Sequence, residues 1–234
     1  MVEITLNGPG KNALSTDLMT RTLSALRSAG SAPVLLVGEG DAFSAGLDLK
    51  ELGGLDPAGI ERFLGILDDL VVALFEYPGP TVAAINGHAI AGGCVLALCC
   101  DHRVATTNAR ARIGLNEVAI GLRFPPRVLA LARARLGPLN ERRVLLEGGL
   151  YAPTEALALG LCDELADDPA AAARARLGKL AAHDPGAYAD AKAALTRGAL
   201  DLDPSDARRY RDEVLPRWTG NDLRRIIAAV LGGR

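Results

Sequence analysis

The chain has 234 residues, with 26 Lys plus Arg against 28 Asp plus Glu for a formal charge of −2. That length suits one domain, or one domain with a helical appendage, and the balanced charge argues against a nucleic-acid or polybasic membrane surface. Hydrophobic residues at 49% and charged residues at 23% exclude a disordered chain, and 4% aromatics leave little for stacking bases. No apolar run reaches the roughly 18 residues of a membrane span, and Met1-Val2-Glu3-Ile4 lacks a signal-peptide pattern, so a cytoplasmic location is expected. Cys94, Cys99 and Cys100 crowd one apolar segment without metal-ligand spacing, which predicts reduced, buried thiols and no metal site.

In chain order, Val2 to Leu6 reads as a short strand closed by the turn Asn7-Gly8-Pro9-Gly10. Ser15 to Ala29 has helical spacing, with Ser15 or Thr16 placed to cap it. Pro33 to Gly38 is the compact apolar run of a buried parallel strand. After Asp41 to Lys50 come a helix over Ile60 to Phe75 and a second buried strand over Thr81 to Ile85. Ala91 to Cys100 is apolar at helix length, and Arg103 to Ala105 is another short strand. The pattern β-α-β-α-β-α-β predicts an α/β core of mostly parallel strands. Helices follow over Asn140–Leu146, Thr154–Leu159, Ala170–Leu180, Ala187–Leu195 and Asp206–Leu231, with one strand signal at Leu161–Leu165. Residues 1–170 are thus expected to form the α/β core and 171–234 a helical extension.

Three segments can carry chemistry. Ser44-Ala45-Gly46-Leu47-Asp48 follows a strand, and its small residues let a ligand approach the backbone. Ala91-Gly92-Gly93-Cys94 opens the apolar helix, where free N–H groups point outward. Together they could supply two backbone donors to one oxygen, although paired glycines at a helix start also serve packing. Glu117 is the lone acid in Ile113 to Leu122; it is either a capping or rim carboxylate, or a general base tuned by apolar surroundings. Asp101, His102 and His183 form no triad spacing with Ser44 and read as structural. His88 is a packed or exposed histidine or a liner of an acyl pocket, and Trp218 is core packing or closes a neighbour's pocket.

These segments, in this order, resemble the enoyl-CoA hydratase/isomerase (crotonase) superfamily. The resemblance rests on Leu6-Asn7-Gly8-Pro9 with Lys11 to Ser15, on Phe43 to Lys50, and on Ile85-Asn86-Gly87 with Ala91 to Cys94 and Cys100-Asp101. It implies a crotonase-like (ClpP/crotonase) α/β core of repeated ββα units with a helical C-terminal region that assembles a homotrimer or a dimer of trimers. By the same resemblance the backbone N–H groups of Leu47 and Gly92 form an oxyanion hole. Ser44, Ala45, Gly46, Asp48, Lys50, Gly93 and Asn116 contact the CoA ester, while Val95, Leu115 and Phe124 line the acyl pocket. The CoA thioester is then the substrate, and no separate cofactor is implied.

The family's hydratases use two glutamates, one of them directly after the Gly-Gly-Cys motif. Here that position is Val95, which can neither orient water nor move a proton. Glu117 alone could carry a proton from the α- to the γ-carbon of a 3-enoyl thioester. Ile113 to Glu117 and the run Leu122-Arg123-Phe124-Pro125-Pro126 are likewise similar to the mitochondrial-type 3,2-trans-enoyl-CoA isomerases. The expectation is an isomerase of fatty acid β-oxidation. A hydratase or another enolate-forming enzyme is the alternative within the superfamily, and a non-catalytic acyl-CoA-binding oligomer the alternative outside it.

Overall fold

Fully buried apolar runs become central strands when both of their faces are covered. In the computed structural model, which describes residues 1–232, this holds for Val34–Gly38 (β2) and Thr81–Ile85 (β4), in which every residue is buried. With Val2–Leu6 (β1), His102–Thr106 (β6) and Glu164–Ala166 (β8) they form a parallel sheet in the order β1-β2-β4-β6-β8. Its register runs from Val2 beside Val34, through Val34 beside Thr81, to Val82 beside His102. Ala173 and Leu177 of helix Pro169–Ala181 cover one face, packing on Leu35, Val37, Val82, Ala84 and Val104. The other face meets the main core, which includes Leu18 and Leu26 of helix Thr16–Ala29 and Phe63 and Leu70 of helix Pro57–Phe75.

A second sheet corrects the simple βαβ alternation expected from the pattern. Ala42–Ser44 (β3), His88–Ile90 (β5) and Ile113–Gly114 (β7) pair in parallel in the order β3-β5-β7. Each follows a strand of the first sheet, β3 after β2, β5 after β4 and β7 after β6, and each pair leads into a helix. This is the repeated ββα unit. Helix Gly92–Cys99 follows β5 and is buried on all sides, as its unbroken apolar sequence requires.

Several boundaries move for one physical reason. Asp-Pro pairs start helices at Pro57, Pro169, Pro185 and Pro204, ahead of the expected Ile60, Ala170, Ala187 and Asp206. In each the Asp side chain accepts from a backbone N–H of the first turn, and proline at the first helical position loses no hydrogen bond. The helix expected from Asn140 begins at Pro126 and runs to Glu147, broken at Gly137, whose φ is +69°. The terminal helix expected over Asp206–Leu231 is instead four pieces: Pro204–Arg209, a π turn at Tyr210–Val214, Leu215–Thr219, and Asn221–Gly232 beyond Gly220. The expected boundary after residue 170 falls inside helix Pro169–Ala181, which packs on the first sheet, and the last two residues of the expected tail lie outside the described residues. All four cysteines are free and buried, and no helix among the described residues is long and apolar enough to cross a membrane.

Candidate active site

The loop after β3 is held from behind. Ser44 is fully buried, its Oγ donating to the Asn12 carbonyl (2.8 Å) and accepting from the Gly46 N–H (3.2 Å). Gly46 has φ +89°, and a Cβ there would lie 2.8 Å from the Ile90 carbonyl, so the position requires glycine. Leu14 bridges this loop as a parallel strand would, its N–H donating to the Gly46 carbonyl (2.7 Å) and its carbonyl accepting from the Asp48 N–H (3.1 Å). In such a bridge the N–H of the intervening residue, Leu47, points away from Leu14.

The Leu47 nitrogen lies close to Gly92. A Cβ on Gly92 would lie 3.5 Å from the Leu47 nitrogen, which sets how closely the two backbones approach. Gly92 is the first residue of its helix, so its N–H has no intrahelical acceptor. Among the described residues neither N–H has any other acceptor. Ala91, just before, is held at φ 48° and ψ −118°, a conformation that side chains rarely adopt; its N–H is tied to the Gly114 carbonyl (2.9 Å).

Glu117 sits in a turn closed by Leu122 N–H donating to its own carbonyl (2.8 Å) and Ile120 N–H donating to that of Asn116 (3.2 Å). Its side chain is carried inward to 6% exposure, and Oε2 has no hydrogen-bond partner among the described residues; nor has Oδ1 of Asn116. Burial pushes the Glu117 carboxyl up to about 7, opposed only by a bond from its own backbone N–H. Leu47, Gly92, Asn116, Glu117 and Val95 border one cavity of about 180 Å³. Glu117 is its one titratable lining residue among those described, and the remainder of the wall is mostly apolar.

A larger cavity of about 510 Å³ adjoins it, sharing Ala45, Leu47, Leu49 and Ile90 and carrying Lys11, Asp48, Lys50 and His88. Lys11 pairs with Asp41 (2.7 Å), and Asp48 caps the helix that contains Lys50. His88 lies on this side and not around Glu117, its Nδ1 accepting from the Arg112 N–H (3.1 Å). Burial and the Lys11 charge hold its imidazole below the usual value.

Other expected contacts shift. Ser44 and Gly46 stand behind the wall, and Gly93 packs against the Ser44 carbonyl, which a Cβ would meet at 2.4 Å. Leu115 and Phe124 are buried outside the lining of the Glu117 cavity, and their place is taken by Leu67, Ile90, Leu122 and Val128. Trp218 lines the cavity of its own chain. Its distance in sequence from the motifs hides this; the one signal was a single Trp placed among helical breaks.

The enoyl-CoA hydratase/isomerase family model matches residues 1–220. The chain belongs to that family. It is 36% identical to mitochondrial enoyl-CoA delta isomerase 1 of Mus musculus over 176 residues, which cover 73% of this chain and 61% of the mouse protein. A putative enoyl-CoA hydratase of Thermus thermophilus is 40% identical over 169 residues, covering 69% of this chain and 66% of the relative. The crystal structure of human mitochondrial delta3-delta2-enoyl-CoA isomerase superposes with a TM-score of 0.88 at 26% identity, over 99% of this chain and 92% of the other. The fold is therefore that of the crotonase superfamily, and relatives bearing both activities' names share it.

Proposed function

We propose that this family member isomerises 3-enoyl-CoA thioesters to the conjugated 2-enoyl form, with Glu117 as the single acid and base. The observation that carries this reading is the composition of the cavity wall: one carboxylate, its Oε2 unpaired, facing apolar surroundings that include Val95. The thioester oxygen would accept from the N–H groups of Leu47 and Gly92, with the CoA moiety in the adjoining cavity that carries Lys11 and Lys50. Glu117 takes the α-proton, and the electron pair spreads as a dienolate onto that oxygen. The protonated Glu117 then gives the proton to the γ-carbon, so no water is consumed and no second acid is needed. A carboxyl titrating at about 7 suits both steps, being ionised often enough to accept and acidic enough to return the proton. Each backbone donor of this kind supports the transition state by about 2.7–4 kcal/mol.

Hydration is the second reading, favoured by the hydratase name of the Thermus relative. It calls for a group to manage the second proton, and Val95 has none. Assaying 3-hexenoyl-CoA and crotonyl-CoA side by side decides between them. Faster turnover of 3-hexenoyl-CoA is expected, whereas faster hydration of crotonyl-CoA overturns the isomerase reading. Glu117→Gln is expected to reduce isomerisation by about 10²–10⁴-fold while CoA-ester binding persists.

A further inference from the structure

The Glu117 cavity touches larger spaces whose shared walls orient it. On the side of Lys11 and Lys50 the shared residues surround Leu47. On another side it shares Ile120, Leu122 and Trp218 with a surface cavity of about 470 Å³, and none of these three borders the Lys11 cavity. An acyl chain whose thioester lies at Leu47 and Gly92, with CoA towards the lysines, therefore extends towards Trp218.

Trp218 is 2% exposed and is the largest side chain of that shared wall. It rises from the short helix Leu215–Thr219, and its Nε1 donates to the Arg123 carbonyl (3.0 Å), which fixes the ring to the segment after Glu117. Behind it the surroundings change character: Arg123, Arg217 and Arg225 border the outer cavity, the last two paired with Asp222. Ile226 and Ala229 line that outer cavity too, so methylene groups can gain from burial there only once the indole no longer blocks the way.

Resting on the acyl-CoA reading above, the structure assigns Trp218 as the wall that ends the acyl cavity and sets the longest chain the site accepts. The inner cavity of about 180 Å³ is close to the size of an apolar cavity of about 150 Å³ that holds benzene, so it takes an acyl chain of about six carbons. Removing the indole joins it to the outer space.

The test is calorimetric titration of the full chain with saturated acyl-CoA thioesters from butyryl to tetradecanoyl, which bind without being turned over. In the wild type, affinity is expected to rise about fourfold per methylene up to hexanoyl or octanoyl and then stop. Trp218→Ala is expected to carry the rise about four carbons further, and Trp218→Phe to keep the wild-type break. Should the alanine variant fail to fold, Trp218→Leu carries the same expectation. An unmoved break in a folded small-residue variant overturns the proposal, as does a uniform loss of affinity at every length. A break moved by Val128→Ala but not at Trp218 also overturns it, since Leu67, Pro125 and Val128 separate the site from a different cavity of about 260 Å³. A length break that depends on Trp218 in a protein that does not turn over 3-enoyl-CoA sinks the isomerase reading alone. No acyl-CoA binding at any length removes both.

Discussion

The two ends of helix Gly92–Cys99 are built to opposite rules. At its C-terminal end the last carbonyls and the acid beyond them are held by partners. Arg135 donates to the carbonyls of Leu98 (2.9 Å) and Cys99 (3.1 Å), placing a cation where the helix dipole is negative. Asp101, just beyond, accepts from Lys192 Nζ (2.8 Å), Tyr188 OH (2.9 Å) and the Thr81 N–H (2.9 Å). At the N-terminal end Leu47 and Gly92 line a cavity with no acceptor for their N–H groups among the described residues, and Glu117 has an oxygen with no partner. A buried polar group left incomplete lowers stability, and its persistence at this end accords with the ligand site proposed above.

The largest effect expected from breaking this contrast lies at the complete end. Lys192 is buried, and burial holds its ammonium below the usual value against the opposing pull of Asp101. Lys192→Met leaves the Asp101 carboxylate with only the more distant Arg135 (4.0 Å) as a cation, which is expected to destabilise the fold by about 3 kcal/mol in urea denaturation, the low end for a broken buried pair. Asp101→Asn combined with Lys192→Met should recover part of that loss. Additive losses would show that the pair is not the unit of stability.

Removing Glu117 should act in the other direction. Its folded-state value of about 7 lies above the ordinary 4.5, so the folded state holds the proton more tightly. Stability from this group is intact below pH 4.5 and falls as pH rises to about 7, where the penalty is complete. Glu117→Gln is therefore expected to be more stable than wild type by about 1–3 kcal/mol at pH 8, with the gain shrinking towards pH 5. The same titration predicts that kcat/KM for 3-hexenoyl-CoA declines about tenfold per pH unit below about 7. A flat stability difference across that range would mean that Glu117 does not titrate there.

The contrast between the two ends was only half legible from sequence. The central strands β2 and β4 and the amphipathic helix Thr16–Ala29, with Ser15 accepting from the Leu18 N–H (3.1 Å), follow from local pattern. Glu117 stood out as an acid among apolar residues. The second sheet did not, because β3, β5 and β7 have three, three and two residues and pair only across long separations, too short for a periodic signal. Trp218 was equally hidden, since its place in the wall depends on how four short helical pieces fold back. Four helix starts were in fact written plainly as Asp-Pro pairs, whose capping chemistry outweighs where the apolar periodicity begins.

The smallest expected effect concerns how the incomplete end is held open. Ala91 occupies φ 48° and ψ −118°, a region where a non-glycine residue costs on the order of 1–3 kcal/mol. Glycine would relieve that strain but returns about 0.5–1 kcal/mol through the freer unfolded chain. Ala91→Gly is thus expected to be neutral or to gain about 1 kcal/mol in stability. The strained residue also aims the next N–H, that of Gly92, while its own is fixed to the Gly114 carbonyl. Loosening it should lower kcat for 3-hexenoyl-CoA several-fold with KM little changed, because the oxyanion contact tightens only in the transition state. A variant that gains stability with kcat intact would show that the strain serves packing against Gly46 alone. A variant that loses both would place Ala91 among the groups that hold the loop itself.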